Sequence, residues 1–93
     1  MLLAIDAGNT NIVFAVYDGD KQRAQWRAVT NAQRTSDEYA VWLNQLLSLE
    51  GLSFTDLSAV IIATVVPAVL FDLRALCRPY QQRDPLIVRA PAV

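Results

Sequence analysis

Ninety-three residues, 54% hydrophobic and 18% charged, make one small ordered domain rather than a disordered segment. A net charge of −1 without a basic block argues against a nucleic-acid partner held by phosphate neutralisation. One cysteine and no histidine exclude an internal disulfide, Cys-cluster or conventional zinc sites, and His-dependent triads or bases.

A domain this small buries only about 60% of the surface its unfolded chain exposes. Part of the apolar surface is therefore expected to lie against a second domain or a partner chain. The opening Met1-Leu2-Leu3-Ala4-Ile5-Asp6 meets a carboxylate too early for a signal peptide. The longest uncharged run, between Asp56 and Asp72, is interrupted by Pro67 and is shorter than the roughly 20 residues of a membrane helix. A cytoplasmic protein without a membrane partner is expected.

Leu2 to Ile5 is expected to form a buried strand, and Asp6-Ala7-Gly8-Asn9-Thr10-Asn11 a turn. A second strand follows over Ile12–Tyr17. Asp18-Gly19-Asp20 is a hairpin signal, because Gly and Asp tolerate the positive φ of tight turns. A third strand runs from Lys21 to Val29, with Ala24, Trp26 and Ala28 alternating against Gln25 and Arg27. The period then changes. Thr35-Ser36-Asp37-Glu38 reads as a capping box, and Tyr39, Trp42, Leu43, Leu46, Leu47 and Glu50 recur at helical steps up to Gly51. Ser58–Ala63 is an apolar strand of the parallel-sheet kind. Pro67 suits the first turn of a second helix, Ala68 to about Cys77, and Pro85–Val88 is a last strand. The order β-β-β-α-β-α-β, with a mixed five-stranded sheet, is that of an α/β ribonuclease-H-like (actin-like ATPase) half.

Chemistry concentrates in the loop between the first two strands. Gly8 allows a sharp turn and close approach of a ligand oxygen, successive amides can form an anion nest, and Asn9, Thr10 and Asn11 add polar groups suited to phosphate. Asp6 would repel a bare phosphate, but fits a hydrated Mg²⁺ bridging carboxylate to phosphate. The same residue types also make a plain polar hairpin turn. Asp18 and Asp20 are expected in a turn, Trp26, Trp42 and Tyr39 in a core or interface, and Cys77 as a buried thiol. Arg34 could reach a phosphate or stay solvated. Thr64, after the fourth strand, stands where α/β sheets bind ligands and is a candidate for lining a cleft.

Leu3–Asn11, Gln25-Trp26-Arg27, Arg34–Tyr39, Val65-Val66-Pro67 and Pro85–Val88, in this order, resemble the landmarks of the type III pantothenate kinases. That family lies within the acetate and sugar kinase/Hsp70/actin superfamily. The resemblance implies ATP-dependent phosphorylation of pantothenate to 4'-phosphopantothenate, the first step of coenzyme A biosynthesis. It assigns Asp6, Ala7, Gly8, Asn9, Thr10, Asn11, Ile12 and Val13 to the ATP-binding loop, with Asp6 holding Mg²⁺ through water. It also implies a monovalent cation (K⁺ or NH₄⁺) and a homodimer. Two positions depart from the family pattern: Ala63-Thr64 replaces the usual Ser-Ser, and Arg89 stands where Gly is common. The family's Gly-x-Asp-Arg motif, with its general base, is not in these residues and is expected beyond Val93. Residues 1–93 are thus expected to be the N-terminal nucleotide-binding domain without its second domain, and inactive alone. The remaining alternatives are a non-catalytic nucleotide-binding or regulatory module, and an actin-like structural protein.

Overall fold

A computed structural model describes residues 1–64, 72–75 and 86–89. The strands are β1 (Leu2–Ala7), β2 (Asn11–Asp18), β3 (Lys21–Val29), β4 (Ala59–Thr64) and β5 (Leu86–Arg89), with helix α1 (Ser36–Leu49) between β3 and β4. They form one sheet in the order β3-β2-β1-β4-β5. The three N-terminal strands form the expected antiparallel meander, while β4 joins β1, and β5 joins β4, in parallel. Residues 72–75 are helical, inside the span expected for a second helix. The rest of that span, Cys77 included, lies outside the described residues.

Strand ends differ from the sequence expectation in one consistent way. Strand β1 continues through Asp6 and Ala7, and β2 begins at Asn11, so the turn between them shrinks. Polarity marked Asp6 and Asn11 as turn residues, but a ladder is made by backbone groups and accepts a polar side chain wherever that side chain faces solvent. Likewise β4 includes Thr64, and β5 extends through Arg89, which pairs with Thr64.

Alternation decides the core. Leu3, Ile5 and Ala7 of β1 share a face with Ile12, Phe14 and Val16 of β2 and with Val60, Ile62 and Thr64 of β4. All nine are buried. Helix α1 covers this face with Tyr39, Ala40, Leu43 and Leu47, and Leu73 joins the same cluster. Phe14 anchors the contact, its ring centroid 5.1 Å from that of Trp42 in edge-on geometry and 6.2 Å from that of Tyr39.

Both ends of α1 are built as the sequence indicates. Thr35 Oγ1 accepts from the Glu38 amide at 3.3 Å, and Glu38 Oε1 accepts from the Thr35 amide at 3.0 Å. At the other end Gly51 adopts φ 71°, its amide donating to the Ser48 carbonyl and the Leu52 amide to that of Leu47. That is a Schellman closure, which requires the left-handed residue that glycine supplies. A 3-10 turn at Phe54–Asp56, which the hydrophobic pattern does not indicate, leads into β4.

Three outcomes follow from this packing and capping. Phe14→Ala is expected to lower unfolding stability in urea by about 3–5 kcal/mol, since it empties the centre of the helix–sheet contact. The second concerns pH. The bonds from the Thr35 amide and hydroxyl outweigh desolvation and, with a lesser contribution from the Arg34 charge, hold the Glu38 carboxyl below its ordinary 4.5. A depressed folded-state value contributes stability above the unfolded pKa, lost as pH falls through the folded one. Acid titration of helicity is expected to show this loss below about pH 4.5, and Glu38→Gln to remove it. Thr35→Ala is expected to cost about 1 kcal/mol at neutral pH.

Candidate phosphate-binding site

The parallel strands β1, β4 and β5 all finish at one edge of the sheet, where β2 begins and β3 ends. This edge carries the polar loop. The Gly8 amide donates to the Asn11 carbonyl at 2.9 Å, leaving Asn9 and Thr10 as the exposed tip of a tight hairpin. The Asn9 and Thr10 amides make no backbone hydrogen bond among the described residues. They, rather than the Gly8 amide, are free for an anion. At Gly8 the visible constraint is a close approach within the hairpin. Its φ is not positive; instead, a Cβ there would lie 3.2 Å from the Asn11 carbonyl oxygen, tighter than ordinary contact.

The eight residues expected to hold ATP divide by exposure. Asp6, Asn9 and Thr10 are exposed, Gly8, Asn11 and Val13 are half-buried, and Ala7 and Ile12 belong to the core. Ala7 and Ile12 therefore position the loop through the backbone. The Asp6 side chain alternates away from Ile5 and Ala7 and so stands on the face opposite α1. Its register neighbours there are Val13 on one side and Ala63 on the other, and Val13 in turn neighbours Arg27. Asp6 and exposed Arg27 thus share a row two strands apart, a carboxylate and a guanidinium on the same surface. Composition had given no reason to single out Arg27.

Thr64 reaches the same edge beside Ala7, yet on the α1 face, where it is 6% exposed. The edge brings Thr64 and Asp6 together, while strand alternation puts them on opposite surfaces. Arg34 is drawn away from a phosphate role: its Nη1 donates to the Val29 carbonyl at 3.2 Å, and its guanidinium carbon lies 5.5 Å from the Tyr39 ring centroid. Burial pushes the Tyr39 phenol up, partly opposed by the Arg34 charge. Its hydroxyl has no hydrogen-bond partner among the described residues.

Metal fit is equally specific. No group of three or more His, Cys, Asp or Glu side chains occurs among the described residues, so a protein-only cage is not built here. A single exposed carboxylate beside free amides suits a hydrated Mg²⁺ carried by phosphates. No described helix is long and apolar enough to cross a membrane.

A family model described as type III pantothenate kinase matches residues 2–93. The chain belongs to the type III pantothenate kinase family. It is 62% identical over all 93 residues to the type III pantothenate kinase of Rhodospirillum rubrum, and 64% identical over 88 residues, 95% of the chain, to that of Paramagnetospirillum magneticum. It spans 36% and 34% of these relatives' lengths. Among solved structures, a ROK hexokinase from Thermus thermophilus superposes with a TM-score of 0.63 at 16% identity, covering 95% of this chain and 34% of that one. That likeness supports the actin-like fold.

The pantothenate kinase landmarks within the described residues now have places, while Val65-Val66-Pro67 lies outside them. Asp6–Asn11 spans the end of β1 and the hairpin, Gln25–Arg27 the middle of β3, and Arg34–Tyr39 the entry to α1. Gly8→Ala tests the hairpin directly. The added methyl presses on a carbonyl oxygen already fixed by a hydrogen bond, so a loss of about 1–3 kcal/mol in unfolding stability is expected, with weaker nucleotide binding.

Proposed function

We propose that this chain supplies the phosphate-binding wall of an enzyme that phosphorylates pantothenate with ATP. Family membership and the β1–β2 hairpin at the sheet edge support this reading. The observation that carries it is the pairing of free Asn9 and Thr10 amides with the exposed Asp6 carboxylate at the end of a parallel strand.

In this reading the Asn9 and Thr10 amides and the Thr10 hydroxyl bind the phosphates of ATP, with Ala7, Gly8, Asn11, Ile12 and Val13 fixing the loop's shape. Asp6 holds a water of a hydrated Mg²⁺, which when bound neutralises charge on the phosphates. Arg27 adds positive potential on the same surface. The pantothenate hydroxyl attacks the terminal phosphoryl group in line, so the work of these residues is positioning and charge compensation rather than proton transfer. The base that accepts the hydroxyl proton belongs to the family's Gly-x-Asp-Arg motif, which does not occur in this sequence. A monovalent cation and a homodimer, as the family resemblance implies, and a cytoplasmic setting, as the sequence suggests, complete the proposal.

ATP titration of wild type and Asp6→Ala, with and without Mg²⁺, tests the assignment, alongside a coupled assay with pantothenate on the active kinase. With Mg²⁺, Asp6→Ala is expected to lose roughly 10- to 100-fold in ATP affinity, the range of a hydrogen bond to a charged group. Without Mg²⁺ it is expected to bind ATP at least as well as wild type, because a repulsive carboxylate is gone. Mg²⁺-independent binding in both proteins would overturn the loop assignment. Binding without pantothenate turnover in the kinase would favour a non-catalytic nucleotide module instead.

A further inference from the structure

Thr30 lies one residue past β3, twenty positions from the loop tip, and touches the loop twice. Its amide donates to the Thr10 carbonyl at 2.9 Å and its Oγ1 donates to the Gly8 carbonyl at 2.7 Å. The second bond is short and part-buried. We infer that Thr30 is a positioning residue for nucleotide binding, a clip that aims the peptide groups of the Gly8–Asn11 hairpin at the phosphates of ATP. This rests on the phosphate-loop reading above.

The argument comes from peptide geometry. In a planar trans peptide the C=O and the following N–H point in opposite directions. Holding the Gly8 carbonyl toward Thr30 therefore turns the Asn9 amide away from Thr30. Holding the Thr10 carbonyl does the same for the Asn11 amide. Two of the three peptide groups that join Gly8 to Asn11 are set by one residue. Without the hydroxyl, the Gly8 carbonyl loses its donor and the Gly8–Asn9 peptide is free to rotate. Its oxygen then competes for the space an anion would occupy, and like partial charges repel. The clip thus has a second effect, satisfying carbonyl oxygens that would otherwise face phosphate.

Thr30→Val keeps the side-chain shape and the backbone bond to Thr10 but removes the hydroxyl. Thr30→Ala removes the hydroxyl without the bulk, and decides the matter if the valine variant folds poorly. Thr30→Ser retains the donor. In steady-state kinetics on the active kinase, the valine and alanine variants are expected to raise the KM for ATP roughly 3- to 10-fold, the equivalent of one neutral hydrogen bond. The KM for pantothenate is expected to stay at the wild-type value, with Thr30→Ser within about 2-fold of wild type for both substrates. A rise in both KM values together, tracking a lowered melting temperature, would mean a merely structural role and overturn the inference. So would an unchanged KM for ATP in the valine and alanine variants, or a serine variant as impaired as valine. Asp6→Ala run beside them separates the two levels. If it also leaves the KM for ATP unchanged, the phosphate-loop reading has failed; if it raises that KM while the Thr30 variants do not, only the clip has failed.

Discussion

Six consecutive residues, Leu2 to Ala7, hydrogen-bond on both sides, antiparallel to β2 and parallel to β4. That double register settles most of what the molecule does. It sends Leu3, Ile5 and Ala7 into the core beneath α1 and leaves Asp6 exposed on the other surface. A slip of one residue would exchange the two sets, burying a carboxylate and exposing Ile5. Such a slip would carry a desolvation cost of several kcal/mol in addition to the lost apolar burial. The parallel pairing with β4 also demands a crossover long enough to return to the same edge, and α1 provides it.

The polar edge follows from the same arrangement. Parallel strands deliver their last residues to one side of the sheet, and the turn out of β1 opens there because β2 must reverse immediately. Amides at the hairpin tip and a carboxylate one residue before the core boundary are then neighbours by construction. Beside Asp6 and Arg27 this face carries Ala4, Ile61 and Ala63, all only half-buried. This agrees with the apolar excess in the composition of so short a chain.

How much was legible depended on the range of the interaction. The Thr35–Glu38 capping box, the Lys21–Val29 alternation and the Gly51 stop involve neighbours within a few positions, and sequence spacing reveals them. Asp6 and Asn11 were read as loop because their side chains are polar, whereas the ladder that includes them is made by backbone atoms and carries no such mark. Gly8 marks a sharp turn in the sequence, but the crowding of its Cβ position by the Asn11 carbonyl across the turn is visible only in the fold. Thr64 was placed at the correct edge, but which surface it faces depended on its register with Ala7. Thr30 gave no signal at all. Its partners lie about twenty residues away, and only the pairing of Asn11 with Val29 brings them within reach. Spacing alone leaves the β1–β2 turn open between a phosphate loop and a polar turn, and the proposal of a phosphate loop rests on the family landmarks.

The meander also has a consequence for the order of assembly. The β1–β2 and β2–β3 pairs join strands adjacent in sequence, so their loops close at little entropic cost. Strand β4 must find β1 across a gap like the 57 positions separating Ser58 from Met1, which are hydrogen-bonded at the strand's start. Pairings of that separation are kinetically late. The hairpin with its Thr30 bonds lies entirely within the first thirty residues, so contact order favours its closure before the parallel half of the sheet arrives. On a ribosome it would emerge and close as a unit while most of the fold was still unmade.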